Sequence, residues 1–265
     1  MIVSKTPLRI SFVGGGSDFQ LFYQNSYGSV VSAAIDKYVY VLVNKRSDGL
    51  FRIGYSKTEF IKNIDNIEHD IIRESLRLLK IKGGLDITYI GDISIGHAGT
   101  GLGSSSALAI GVLNALYAFQ KKKVSSHQLA EDACKIEIDI LGRPIGKQDQ
   151  YAVAYGGVNY IRFNPDESVS VRPIQLSEKI RNKLCSNLLM FNTGIDPKSS
   201  ILLKEQKAKI KNNHEVLSGV VELSESLKNY LSNSNINYFG ELLHKNWIFK
   251  KQFATKITNG VIDNY

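Results

Sequence analysis

The chain is poor in the residues that would tie it to an oxidising compartment. It has two cysteines, Cys134 and Cys185, in 265 residues. Both lie in apolar-patterned segments, so buried thiols explain them better than a disulfide or metal chemistry, and a reducing cytoplasm is the expected setting. No apolar run is long enough to cross a membrane. The opening MIVSKTPLRISFVGGG is broken by glycine too soon to be a signal peptide. Internal repeats and low-complexity segments are missing too. A soluble globular chain of one large domain or two smaller ones remains, and we expect two.

Arginine is missing between Lys198 and Lys256, where ten lysines face five glutamates and supply much of the formal net charge of +8. Lysine spread along amphipathic helices is a solvated face. No RNA- or DNA-binding signature with interleaved aromatics accompanies it, so neither nucleic acid nor membrane is expected as a partner. An acidic small-molecule substrate accounts for the charge equally well.

What is present alternates along the chain. MIVSKTPLRISFV and SVVSAAIDKYVYVLVNKR read as strands, DNIEHDIIRESLRLLKI as a helix, and GLDITYIGDIS as a strand leading into a loop. ALAIGVLNALYAFQ is apolar nearly all round, as a helix buried on most sides is. SSHQLAEDACKIEIDIL reads as a further helix, capped by Ser125 or Ser126. Composition shifts past GGVNYIRFNPDES, which places a soft boundary near Asn164. Beyond it, VSVRPIQL and NLLMFNTG read as strands, and SSILLKEQKAKIKNNHEVLSGVVELSESLKNYL and INYFGELLHKNWIFKKQFATKI as long amphipathic helices.

Three stretches carry chemistry. In GTGLGSSSALAI and the residues just before it, glycines 96, 99, 101 and 103 precede three serines that open a helix, and exposed amides at such a start attract an anion, with phosphate the natural occupant. The stretch lacks the Lys-Ser/Thr pair of a Walker loop and the glycine spacing of a dinucleotide fingerprint. An ordinary Gly-Ser turn with a serine cap stays open. PLRISFVGGGSDF puts three glycines directly after a strand and ends them with Ser17 and Asp18, which suits a polyol. A wide turn with Asp18 capping the next helix is the alternative. In EIDILGRPIGKQDQYAVAYGG, Glu137 lies in the helical pattern and Asp149 in a loop-like stretch. Phosphoryl transfer wants one carboxylate on a metal and another near the nucleophile.

In this order and spacing, PLRISFVGGGSDF, GTGLGSSSALA and GKQDQYAVAYGG resemble the GHMP small-molecule kinases, the superfamily of galactokinase, homoserine kinase, mevalonate kinase and phosphomevalonate kinase. Within it, SKTPLRISFVGGGSDF, KEQ and LHKNWIFKKQFATKITN resemble the D-glycero-D-manno-heptose 7-phosphate kinases, and the resemblance covers the whole chain. It implies an α+β, two-lobed fold. Residues 1–163 would be an N-terminal α/β domain of ribosomal S5-like type, and 164–265 a smaller, here incomplete, ferredoxin-like lobe. It also implies ATP and Mg²⁺. Gly99, Gly101, Leu102, Gly103 and Ser104 to Ser106 would hold the triphosphate, with Ser105 and Glu137 at the metal. Asp149 would sit beside the substrate hydroxyl, Arg9 would offset charge at the reacting oxygens, and Gly15, Gly16, Ser17 and Asp18 would touch the sugar. Arg143 and Lys147 are candidates for the sugar's phosphate by charge and by nearness to Asp149, and solvated basic residues are an equal reading of them.

The resemblance thus implies phosphorylation of the anomeric hydroxyl of a heptose 7-phosphate. A non-catalytic nucleotide- or sugar-binding relative, and a superfamily kinase acting on galactose, fucose or an isoprenoid acid, stay open. The superfamily's third glycine-rich motif is absent before TNGVIDNY. The expectations attached to that absence are an uncovered edge in the second lobe, association or swapping through it, lowered stability and an impaired rate; a homodimer is left open.

Overall fold

The computed structural model describes residues 1–93, 101–191, 199–254 and 257–263. In chain order the elements are β1 (Ile2–Val13), α1 (Gln20–Tyr23), β2 (Gly28–Lys45), β3 (Phe51–Gly54), β4 (Thr58–Ile61), α2 (Asp70–Leu78), β5 (Leu85–Gly91), α3 (Ser104–Phe119), α4 (Ser126–Cys134), α5 (Gln148–Tyr155), β6 (Val158–Phe163), β7 (Val169–Pro173), α6 (Glu178–Ser186), α7 (Ser199–Lys209), α8 (His214–Ser232), α9 (Phe239–Lys250) and α10 (Gly260–Asp263). This is an α+β architecture. Among the described residues no helix is long and apolar enough to cross a membrane.

The chain forms two compact units. The first comprises Met1–Arg9, Ala34–Arg143 and Asp149–Gly156, and the second Ile10–Ala33, Pro144–Gln148 and Gly157–Tyr265. They interleave, because β1 and β2 each supply both, whereas the division expected at 163/164 is a single cut. In the first unit β5 pairs antiparallel with Val39–Lys45 of β2 and parallel with β3, whose other neighbour is the antiparallel β4. The apolar side of this sheet is covered by α3, and Val41, Ile53, Ile87, Val112 and Leu116 are almost fully buried in one core. In the second unit Gly28–Ala33 of β2 pairs antiparallel with β6, and β6 with β7. Among its described residues lie two apolar clusters, one around Phe12, Tyr160 and Leu227 and one around Phe22, Val220 and Phe253.

Local chemistry explains most element boundaries. β2 is rich in β-branched and aromatic residues, which suit a pleated surface. α3 buries nearly every residue from Ser106 to Leu116, as its all-round apolarity requires. Ser125, one of the two expected caps, accepts from Gln128 N at 3.1 Å and begins α4. Past Cys134 the chain does not continue as an ordinary helix, because Lys135–Ile140 widens into a π-helical turn.

Other expectations are corrected. The single helix expected over 199–231 is two, α7 and α8, separated by a 3-10 turn at Ile210–Asn213. There Ile210 is buried in the Phe22 cluster, and Asn212 and Asn213 are poor helix formers. Residues 187–191 of the expected strand NLLMFNTG form no strand, and the remainder lies outside the described residues. Asp149 lies in the first turn of α5 rather than in a loop. The short elements α1, β3, β4 and α6 gave too little periodicity to be read.

Candidate active site

The site in the first unit is built around the start of α3. Gly103 precedes this helix in the left-handed conformation with φ 73°, and a Cβ there would lie 3.2 Å from Arg9 Cγ. Glycine is what lets the loop backbone close on Arg9. Arg9, 7 % exposed, donates Nη1 to Gly101 O at 2.5 Å, and its backbone N to Leu102 O at 3.0 Å. The remaining donors, Nε and Nη2, reach Asp149 Oδ1 at 2.8 and 2.6 Å. A residue from β1 thus holds the serine loop and the carboxylate of α5 together. Oδ2 of Asp149 accepts from no described residue, and its side chain is 25 % exposed. Gly99 lies outside the described residues.

Ser104, Ser105 and Ser106 occupy the first turn of α3, where amides have no intrahelical acceptor and the helix dipole is positive. The Ser105 and Ser106 hydroxyls each donate to Glu137, at 2.7 Å to Oε1 and 2.7 Å to Oε2. Glu137 stands in the π-helical turn and is fully buried. Gln150 Nε2 donates to its Oε2 at 2.8 Å, and Arg143 Nη1 to its Oε1 at 3.0 Å. Arg143 Nη1 also bonds Ser105 Oγ, while Nη2 reaches Asp70 Oδ1 and Oδ2 at 3.2 and 3.0 Å. Burial pushes the Asp70 carboxyl up, but the charge and hydrogen bonds of Arg143 outweigh it and hold the carboxyl below its usual range.

These residues fit Mg²⁺. The ion prefers hard oxygen ligands, uses one or two carboxylates and leaves other positions to water and substrate phosphates, and neighbouring oxygens in its octahedron lie about 2.9 Å apart. Ser105 Oγ and Glu137 Oε1 are 2.7 Å apart. Gln150 Oε1, buried beside Glu137, accepts no hydrogen bond among the described residues and could accept one from a metal-bound water.

The glycine-rich turn after β1 belongs to the second unit. Ser17 is fully buried; its hydroxyl faces Gly14 O and Ser29 O at 2.8 and 3.0 Å and accepts from Ser29 N at 3.0 Å. A side chain committed this way shapes the turn. Asp18 is 2 % exposed, with Oδ1 accepting from Gly16 N at 2.9 Å and Oδ2 from Gln148 N at 3.1 Å. It does not cap α1, whose N-cap is Phe19. It holds residues 146–148 instead. A Cβ on Gly146 would meet its Oδ2 at 2.0 Å, so only glycine fits that approach. Gly15 faces the Gln148 side chain and Lys250 Nζ.

Lys147 and Arg143 are both ion-paired. Lys147 Nζ pairs with Glu167 Oε2 and lies 5.2 Å from the Tyr23 ring centre. Burial raises the Glu167 carboxyl, but hydrogen bonds from Lys147, Tyr23 and Gln20 outweigh it and keep it low. Arg143 joins the serine and carboxylate cluster of the first unit. Sequence reasoning missed Asp70 and Gln150. Their signals were faint: an acid opening an amphipathic helix, and one amide within GKQDQY.

Residues 70–157, which include Asp70, the serine loop, Glu137 and Asp149, match the family described as the GHMP kinases N terminal domain. A D-glycero-alpha-D-manno-heptose 7-phosphate kinase from Campylobacter jejuni is 26 % identical over 275 residues, covering 99 % of this chain and 80 % of that protein. A galactokinase from Pyrococcus furiosus is 24 % identical over 207 residues, covering 73 % of this chain and 53 % of that protein. The fold matches the crystal structure of a D-glycero-D-manno-heptose 1-phosphate kinase from Bacteroides thetaiotaomicron with a TM-score of 0.81 at 24 % identity, over 98 % of this chain and 82 % of that one.

Proposed function

We propose that the chain is an ATP-dependent sugar kinase of the GHMP superfamily, a reading supported by the match of residues 70–157 to the GHMP kinases N terminal domain. Its acceptor is the anomeric hydroxyl of D-glycero-D-manno-heptose 7-phosphate, and its product is the 1,7-bisphosphate used in nucleotide-activated heptose synthesis. The reading of the acceptor draws on the name of the Campylobacter relative and on its coverage of nearly the whole chain. A cytoplasmic location goes with it.

The observation that carries the reading is the Arg9–Asp149 pair held against the carbonyl of Gly101, just before the serine-rich start of α3. Amides of that helix start bind phosphate oxygens, and the Ser104 to Ser106 turn sets their position. Asp149 Oδ2 takes the proton of the acceptor hydroxyl as its oxygen bonds the γ-phosphorus. The bond to the β–γ bridging oxygen breaks and ADP leaves. An anomeric hydroxyl is more acidic than an ordinary alcohol, so a carboxylate suffices as the base. Arg9 aims Asp149 and offsets charge on the reacting oxygens, which is the positioning and electrostatic work that phosphoryl transfer requires. Ser105 and Glu137 would hold Mg²⁺, which when bound neutralises charge on the β- and γ-phosphate oxygens.

A coupled assay of ADP release over heptose 7-phosphate, free heptose, galactose, fucose and mevalonate tests the proposal, with phosphorus NMR locating the new phosphate. Heptose 7-phosphate should give the highest kcat/KM and an anomeric phosphate. ADP release with another acceptor would reassign the substrate. Nucleotide binding without ADP release from any acceptor would overturn catalysis in favour of a binding relative.

A further inference from the structure

Glu137 is fully buried, and among the described residues only one of its four hydrogen-bond donors carries a charge: Arg143. Arg143 in turn has two acids. Its Nη1 contacts Glu137 Oε1 and Ser105 Oγ, the two oxygens that fit a hard cation, while its Nη2 grips both oxygens of Asp70, which opens α2. One nitrogen of the guanidinium thus rests on the prospective metal ligands, and the other on a carboxylate outside that set. All four residues lie within the first unit.

A buried carboxylate needs a positive partner. A metal on Ser105 Oγ and Glu137 Oε1 would bring a second positive charge against Nη1, so the two cations exclude one another there. Exchange leaves neither side unpaired, since Glu137 keeps a cation and Arg143 keeps Asp70. Taking Glu137 as the metal carboxylate of the function proposed above, we infer that Arg143 is a counter-ion that exchanges with the divalent cation. In the metal-free protein it neutralises Glu137. When the metal nucleotide binds, its Nη1 leaves Ser105 and Glu137, and Asp70 retains it by Nη2, which leaves Nη1 facing the incoming phosphates. Arg143 is on this account a positioning residue that sets the metal affinity of the site, and Asp70 is the anchor that makes the exchange reversible.

The test is Mn²⁺ binding to the nucleotide-free protein, followed by electron paramagnetic resonance of free Mn²⁺, with thermal melts in chelator and in Mg²⁺. Arg143→Gln should bind Mn²⁺ alone at least tenfold more tightly than wild type. It should melt lower in chelator and recover in Mg²⁺, whereas wild type responds little. Arg143→Gln with Glu137→Gln should lose both effects, because no buried charge then waits for a cation. Asp70→Asn should weaken binding of Mn²⁺ alone and of the Mg²⁺ complex of ADP severalfold, measured by calorimetry, because the displaced Arg143 then keeps no acid. If Arg143→Gln does not fold, Arg143→Lys serves in its place, and its smaller hold on two carboxylates should still tighten Mn²⁺. Unchanged or weaker Mn²⁺ affinity in either variant overturns the exchange. Wild-type calorimetry with the Mg²⁺ complex of a non-hydrolysable ATP analogue stands apart: no binding there overturns the kinase reading itself, whereas binding together with an unchanged Mn²⁺ affinity overturns only the role of Arg143.

Discussion

Asp149 commits one oxygen twice to Arg9 and leaves the other without a described partner, an asymmetry that fixes the carboxylate while keeping a proton acceptor directed outward. Asp149→Asn retains an amide oxygen for Arg9 and removes the proposed base. Its kcat should fall by about 10²–10⁴, with nucleotide affinity nearly unchanged. Steady-state kinetics beside ADP calorimetry would decide, and a near-normal kcat would remove Asp149 from the reaction. Asp18 illustrates the opposite use of a carboxylate. Because both its oxygens accept backbone amides in a buried setting, Asp18→Ala should cost roughly 1–3 kcal/mol of stability in urea unfolding. A fully stable variant that lost only sugar affinity would return Asp18 to the substrate.

At the scale of the element, the start of α3 depends on the left-handed Gly103. A side chain at φ 73° is strained, and here it would also press on Arg9. Gly103→Ala should therefore cost about 1–2 kcal/mol and lower nucleotide affinity together, seen by denaturation and calorimetry. A variant of wild-type stability and affinity would show that the loop has another low-energy path. Ser125 is a control of the same kind away from the site. Removing its cap by Ser125→Ala should cost about 1 kcal/mol without changing kcat, since only α4 loses a bond. The π-helical turn after α4 is where an element gives up helical regularity. It carries Glu137 beside the serines of α3, as such turns often do at working sites.

For the molecule as a whole, His69 gives stability a pH dependence near neutrality. Its ring packs against Tyr55 and Tyr89, with Glu59, Asp70 and Arg143 as its charged neighbours. Desolvation lowers its pKa below the ordinary 6.5, and Asp70 and Glu59 oppose that only in part. Between the folded and unfolded values the unfolded chain binds more protons, so this contribution is complete above about pH 6.5 and declines as pH falls below it. Melts between pH 7.5 and 5.5 should show a steeper loss for wild type than for His69→Gln. Equal slopes would assign the dependence elsewhere.

The amino-acid sequence alone determined the features that rest on near neighbours in the chain. Gly103 and the serines open a helix because glycine and serine act within one turn. The all-round apolarity of Ala107 to Leu116 demands burial wherever the helix packs, and Ser125 caps α4 through an amide three residues away. Tertiary structure decided which side chains meet. Arg9 and Asp149 are 140 residues apart in sequence, Arg143 and Asp70 73 apart, and Ser105 and Glu137 32 apart, so no local pattern records those pairings. For the same reason the charge of Arg143 and Lys147 could be read from the sequence and their destinations could not. A guanidinium or an ammonium goes to the carboxylates folding sets beside it, Glu137 and Asp70 for the one and Glu167 for the other; an unpaired charge would be costly at fully buried Glu137, whereas Lys147 and Glu167 pair where water also reaches.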